Sequence, residues 1–178
     1  AAPGGLTVDV GCGYGANLSV LQETTAPRLL IGVDVEFEAL ETIPRRPGLA
    51  LIQARADALP FKAGTFDTVA LLAVVEHVEH DDEVLRESHR IAKTGAFQFL
   101  LTSAFMLLWS HHDTANQHKR RYHASALDRL QKAAGWRVLH TGYVNAAVFL
   151  PVLIVRRLQR GAQSPDDAAY DMGPNPPI

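Results

Sequence analysis

The order of apolar and amphipathic segments predicts an α/β fold, a doubly wound and mostly parallel sheet with helices on both faces. Three observations predict it. Short β-like runs alternate with helical segments at the spacing of strand–helix–strand units. One run, Phe66 to Ala73, is almost continuously apolar, as expected of a strand buried on both faces. A glycine cluster, Gly11-Cys12-Gly13-Tyr14-Gly15, directly follows the first run, at a strand-to-helix turn.

Leu6 to Val10 is the first strand, and Ala16 to Glu23 the first helix, closed by Thr24-Thr25-Ala26-Pro27. Leu29 to Val35, rich in Val and Ile, is the second strand. Phe37 to Ile43 is a helix stopped before Pro44 and Pro47. Leu49 to Gln53 and Phe66 to Ala73 are the third and fourth strands. Asp81 to Ala92 places Val84, Leu85, His89 and Ile91 at helical spacing, and Phe97 to Thr102 is the fifth strand. Ser103 to Tyr122 has no clean period. Ser125 to Ala134 is an amphipathic helix, and Gly135-Trp136 opens a sixth strand running to Tyr143. Ala146 to Gln159 reads as an apolar helix interrupted by Pro151. One domain is expected over 1–160, with 103–122 as an insertion and 161–178 as a loop or tail.

Composition narrows the function classes. A length of 178 residues with 47% hydrophobic residues suits one core of ordinary size. The net charge of −2 argues for a small partner over a nucleic acid. No apolar run reaches the roughly 18 residues needed to cross a bilayer. The lone Cys12 makes no demand on an oxidising compartment, so a cytoplasmic location is expected.

Ligands of such sheets bind at the carboxyl ends of the strands, so the loops there carry the chemistry. The turn after the first strand reads Asp9-Val10-Gly11-Cys12-Gly13-Tyr14-Gly15. Its G-x-G-x-G spacing departs from the G-x-G-x-x-G of dinucleotide sites, and no Lys-Ser/Thr pair follows to make a P-loop. Asp9 repels a pyrophosphate but suits a cationic ligand bearing an amino group and a sulfonium. Asp34, about 19 residues after Gly15, ends the second strand, where an acid accepts hydrogen bonds from a ribose diol. Asp57, after the third strand, is placed to accept from an exocyclic amine, with the Ala58 N–H beside a ring nitrogen.

These residues resemble the class I S-adenosylmethionine-dependent methyltransferases, in particular the small-molecule type 11 group. Asp9 to Gly15 resembles their first motif, Gly32-Val33-Asp34-Val35 their ribose segment, and Asp57-Ala58-Leu59-Pro60-Phe61 their adenine loop. Phe66-Asp67-Thr68-Val69, Val75-Glu76-His77-Val78 and Leu85-Arg86-Glu87 continue the match through about residue 102. The resemblance implies a Rossmann-like fold with S-adenosylmethionine as cofactor and S-adenosylhomocysteine as product. It implies that Asp9, Gly11, Cys12, Gly13, Tyr14 and Gly15 meet the methionine part, and Asp34 and Val35 the ribose. Asp57 and Ala58 would then meet the adenine, Leu72 would line the pocket, and His77 would pack near the cofactor. Cys12 reads as a small packing residue.

Two features depart from the pattern. Lys93-Thr94-Gly95-Ala96 replaces the usual Lys-Pro-Gly-Gly turn. The first motif begins almost at residue 1 and no seventh-strand candidate follows Arg160, so the chain is expected to be a core carrying six strands. Acceptor specificity in the family lies after the fifth strand, and here His111 and His112 are candidate bases because imidazole titrates near neutrality. Tyr122 is a further catalytic candidate, while Trp109, His118 and Arg121 are candidates for binding substrate, or His118 and Arg121 for anchoring the loop. The spacing of His111, His112, Asp113 and His118 matches no zinc signature, so no metal is expected. The expected activity is methyl transfer to oxygen on a small-molecule, lipid- or glycan-linked acceptor. A regulatory cofactor-binding subunit and a nicotinamide-dependent oxidoreductase are the alternatives. The apolar stretch before Arg156, Arg157 and Arg160 adds an expected peripheral membrane contact.

Overall fold

The computed structural model describes residues 4–144, 147 and 149–162, with side chains to residue 155. Strands β1 (Leu6–Val10), β2 (Leu29–Asp34), β3 (Leu49–Gln53), β4 (Phe66–Leu72) and β5 (Ala92–Leu101) form one sheet in the order β3-β2-β1-β4-β5. Every neighbouring pair is parallel. The helices are α1 (Leu18–Thr25), α2 (Phe37–Thr42), α3 (Asp81–Ile91), α4 (His111–Ala115), α5 (Ala124–Ala133) and α6 (Phe149–Ala162).

The period of two along each strand sorts the core into two layers. Val8, Val10, Ile31, Val33, Val69 and Leu71 face one side, where Val84, Leu85 and Ile91 of α3 and Leu127 of α5 cover them. Leu30, Ala70 and Leu72 face the other, under Leu18 and Leu21 of α1 and Leu40 of α2. Helix α3 is oriented to suit its dipole, with Asp81, Asp82 and Glu83 in its first turn and His89 and Arg90 in its last.

The expected sixth strand does not form. Residues 136–143 carry no ladder, and the described sheet has five strands rather than six. Trp136 explains the path: its indole N–H donates to Ser88 Oγ at 3.2 Å, and its ring meets His89 edge-on at 5.2 Å. The chain is thereby held on α3 instead of beside β5. The outward stripe of β5 stays open, with Phe97, Phe99 and Leu101 all exposed.

Pro151 does not interrupt a helix either. Helix α6 begins at Phe149, so the proline lies in its first turn, where a missing N–H costs no hydrogen bond. The helix also takes in Gly161 and Ala162, shortening the expected tail; residues 163–178 lie outside the described residues, as do the side chains of Arg156, Arg157 and Arg160.

After β5 the chain makes an excursion that closes on itself. Tyr122 N–H donates to Ser103 O at 2.9 Å and Phe105 N–H to Tyr122 O at 3.0 Å. Between these points lie a 3-10 turn (Met106–Leu108) and α4, in the stretch without sequence period.

Cys12 packs as expected. It is 5% exposed, and a Cβ built on Gly32 of β2 would stand 2.9 Å from its Sγ and 3.0 Å from Leu51 Cδ2. Gly32→Ala is therefore expected to destabilise by about 1–3 kcal/mol through overpacking. Adding Cys12→Ala should restore part of the loss, as measured by urea unfolding of the single and double variants.

Candidate cofactor and acceptor site

Strand order reverses at β1, whose neighbours β2 and β4 lead to opposite halves of the sheet. The crevice at its carboxyl end is where ligands of such sheets sit. The backbone N–H groups of Gly11 and Cys12 both donate to Val33 O, at 2.7 and 3.0 Å, fastening the turn to β2. Gly13 has a φ of +50°, and nothing lies within 4 Å of where its Cβ would be, so this residue offers bare backbone to the crevice. Gly11 differs: a Cβ there would meet Val74 Cγ2 at 2.5 Å. Its lack of a side chain serves the packing of the segment after β4. Gly15 likewise abuts Leu18 and Ile43, while Tyr14 is exposed beside it.

Asp9 lies beneath the turn, 1% exposed, with neither carboxylate oxygen hydrogen-bonded. Burial, assisted by the charge of Asp34, raises its pKa to about 7. Asp34 is half-buried and accepts from Gly13 N–H at 2.6 Å through one oxygen and Glu36 N–H at 3.0 Å through the other. Each oxygen keeps a lone pair for a further donor. Val35 follows it, exposed.

The adenine-side residues are engaged in their own loop. Arg55 donates to Asp57 from Nε at 2.9 Å and from Nη2 at 2.5 Å, which holds the Asp57 pKa below the usual carboxylate range. Ala58 N–H donates to Arg55 O at 3.2 Å. Leu72 ends β4 and packs on the α1–α2 layer.

On the acceptor side, several predicted residues turn inward. Tyr122 is buried and its hydroxyl donates to Asp81 Oδ2 at 2.6 Å, with Val75 O 3.1 Å away. Burial and the Asp81 carboxylate push its phenol pKa up. A phenol so held ties the loop to α3, and its expected catalytic part has no support in this geometry. Arg121 donates from Nε to Asp113 Oδ1 at 2.7 Å and from Nη1 to Ala104 O at 2.9 Å. His118 Nδ1 meets the same Asp113 oxygen at 2.8 Å. Both side chains thus anchor the excursion, one of the two roles their sequence suggested.

Asp113, fully buried, is the hub of this network, a part its sequence, weighed only for metal ligation, did not suggest. Burial alone would raise its pKa, but Arg121, the Ser110 N–H and His118 hold it down to about 2. The signal was present, since Ser110-x-x-Asp113 is a capping box at the start of α4. Glu76 was also missed as a structural acid. It is 1% exposed and accepts from Thr102 Oγ1 at 2.8 Å, Ser103 N–H at 3.2 Å and Ser103 Oγ at 3.3 Å, joining the ends of β4 and β5.

His111 and His112 are exposed on α4, and the Asn116 side-chain amide meets His112 Nε2 at 2.9 Å. Trp109 is half-buried just before them. A cavity of about 420 Å³ opens between β5, α5 and residues 140–144, lined among others by Leu100, Thr102, Tyr122, Leu127 and Tyr143. Trp109 and His112 do not line it. His77, after β4, stands edge-on to His118 with ring centroids 4.6 Å apart. Burial lowers its pKa, and the neighbouring His118 adds to this.

A reversing parallel sheet with a bare-backbone glycine turn, a buried lone acid and a second acid at the end of β2 is the arrangement of an α/β domain suited to a nucleoside ligand. The chain belongs to the family described as "Methyltransferase domain", which it matches over residues 8–100, just over half its length. It is 32% identical over 100 residues to a fatty-acid O-methyltransferase of Mycolicibacterium smegmatis, a match covering 54% of this chain and 36% of that protein. It is 29% identical over 93 residues to phthiotriol/phenolphthiotriol dimycocerosates methyltransferase 1 of Mycobacterium ulcerans, covering 51% and 34%. The match thus spans about a third of these relatives' length. In fold it is similar to an S-adenosylmethionine-dependent methyltransferase of Mesorhizobium loti, with a TM-score of 0.67 at 17% identity, covering 85% of this chain and 84% of that one.

S-adenosylmethionine is the cofactor that this donor set fits. An orphaned buried carboxylate at a turn of bare backbone favours a cation there, and Asp34 retains acceptor capacity for hydroxyls.

The raised pKa of Asp9 links stability to pH. The folded chain holds this proton up to about pH 7, whereas the unfolded carboxyl, with its ordinary value of 3.8, has lost it. The group's contribution is fully present below the unfolded value and is lost as pH rises through about 7. Asp9→Asn is expected to raise Tm relative to wild type by an increment that grows from pH 5 to pH 8. Melting curves of both proteins across that range check it; a constant difference refutes it.

Proposed function

We propose that this domain transfers the methyl group of S-adenosylmethionine to an oxygen of a small-molecule, lipid-like acceptor, in the cytoplasm. The observation that carries the reading is Asp9, a carboxylate buried without a hydrogen-bond partner beneath the glycine turn. Its field favours a cationic ligand over a pyrophosphate, which separates a sulfonium cofactor from a dinucleotide. When bound, the cofactor supplies a methyl carbon activated by the sulfonium.

The chain's own residues orient and hold. Asp34 accepts from the ribose hydroxyls, Val35 and Tyr14 lend apolar surface, and Gly13 lets the ligand meet the backbone. Asp57 and Ala58 border the adenine. Direct displacement needs the acceptor oxygen in line with the methyl carbon, so positioning carries most of the acceleration. A fatty carboxylate is already ionised at neutral pH. A hydroxyl acceptor needs a base, and His111 and His112, exposed on α4, are the candidates.

Two features support a lipid-like acceptor. The relatives named above act, by their names, on a fatty acid and on phthiotriol dimycocerosates. Leu150, Ile154 and Val155 of α6 are exposed, an apolar face suited to a peripheral contact with a membrane or a lipid. No helix among the described residues is long and apolar enough to cross a membrane.

Calorimetry with S-adenosylmethionine, S-adenosylhomocysteine and NAD tests the cofactor. The first two should bind and NAD should not. Asp34→Asn should weaken S-adenosylmethionine by roughly 10- to 100-fold, the weight of a hydrogen bond to a charged group. NAD binding without S-adenosylmethionine binding would sink the reading. Methyl-ester or methyl-ether formation across a panel of fatty acids and lipid alcohols, read by mass spectrometry, tests the acceptor. Cofactor binding with no turnover on any member leaves a non-catalytic binding subunit. Sedimentation with anionic liposomes should show binding that salt weakens.

A further inference from the structure

We propose that Glu76, His77 and His118 form a binding site for one divalent transition-metal ion at the carboxyl end of β4. The inference deepens the methyl-transfer reading above, because the site lies on the edge of the sheet where that reading puts the acceptor. One ligand atom from each residue lies within 4.8 Å of the other two. Two imidazoles and a carboxylate are a donor set for zinc and its neighbours. Glu76 and His77 are adjacent in the sequence, but 40 residues separate His77 from His118, and neither cysteine pairs nor a regular spacing joins the third ligand to the first two.

The surroundings are those of metal-binding histidines. His118 Nδ1 is held by the buried carboxylate of Asp113 at 2.8 Å, which leaves Nε2 as the lone-pair nitrogen. A carboxylate behind the imidazole fixes its tautomer and orients it, as in carboxylate–histidine–metal arrangements. Asp113 is itself fixed, by Arg121 at 2.7 Å and Ser110 N–H at 2.8 Å. The rings of His77 and His118 stand at 88°, an arrangement two imidazoles can adopt on one cation. Glu76 takes three donors on its two oxygens and retains acceptor capacity for a further partner. Its backbone carbonyl accepts Lys119 N–H at 2.7 Å, which clamps the segment bearing His118 to the segment bearing Glu76 and His77.

Three protein ligands leave at least one position open on the ion. An acceptor hydroxyl or carboxylate could take it, which would fix its oxygen near the cofactor and ease loss of a hydroxyl proton to solvent. The set differs from the cluster His111, His112, Asp113 and His118, whose spacing matches no zinc signature. Only His118 belongs to both, and Asp113 acts from behind it.

The test is Zn²⁺ titration of the chelator-treated full chain, followed by calorimetry, with Co²⁺ visible absorption as a second readout. Saturable binding of one ion per chain is expected, weakened at least tenfold in His77→Ala and again in His118→Ala. Asp113→Asn should weaken it by roughly 10- to 100-fold. Melting curves without metal separate lost ligation from lost folding, and the exposed His77 keeps the test valid if the buried positions unfold. No saturable binding, or binding undiminished in the folded His77→Ala variant, overturns the inference. Calorimetry of wild type with S-adenosylmethionine, run in parallel, shows whether the underlying reading fails instead.

Discussion

Everything at the ligand edge depends on β1 having parallel neighbours that belong to opposite halves of the sheet. Because β2 and β4 flank it, the connections after β1 and β4 leave in different directions, and a crevice opens between them. The glycine turn occupies that crevice. It is tied to β2 through Val33 O and pressed against Val74 after β4, so one short loop is shaped by both halves. Asp9 is the cost of this placement. A strand buried on both faces carries a carboxyl group at its end with nothing to bond it, which holds its proton up to about pH 7 and is ionised more readily beside a cation.

The acceptor side is built on a different principle. Its loops are long and irregular, and polar ties replace a hydrophobic stripe. Glu76 joins the ends of β4 and β5, Tyr122 and Arg120 meet Asp81 at the start of α3, and Asp113 gathers His118, Arg121 and the cap of α4. Removing one partner from such a buried network leaves another unpaired, so the ties act as a set. Under the methyl-transfer reading proposed above, rigidity there matters because misplacement of a reacting atom by an ångström is costly.

The fold was largely legible in the sequence because its signals are local. Strands β1 to β4 lie within one residue of the expected apolar runs, and α1, α2, α3 and α5 within two residues of their expected ends. Strand β5 instead begins at Ala92, five residues before its expected start, because the expected turn at Lys93-Thr94-Gly95-Ala96 is drawn into the strand. The expected sixth strand failed for a tertiary reason: Trp136 found a partner in Ser88 on α3, and no periodicity records that contact. Helix α4 was hidden because five residues are too few for a hydrophobic period to show, although its capping box was there to read. At the site, Asp34 and the glycine turn were read from spacing alone. The division of labour between Gly11 and Gly13 was not, since it depends on which side chain comes to rest beside each. Nor could the pairing of Arg55 with Asp57, or the inward turn of Tyr122, be seen before the loops were folded.

The excursion after β5 leaves the sheet at Ser103 and returns to it at Tyr122, so that its two ends are a single hydrogen-bonded contact. It is a closed loop pinned a second time along its return half, where Lys119 N–H donates to Glu76 O and Arg120 to the carbonyls of Val78 and Glu79. Its length and sequence can change while the ladder below keeps its register, and the closure entropy rises only with the logarithm of the length. The ladder that carries the glycine turn is thereby insulated from changes in the outer turn of the excursion.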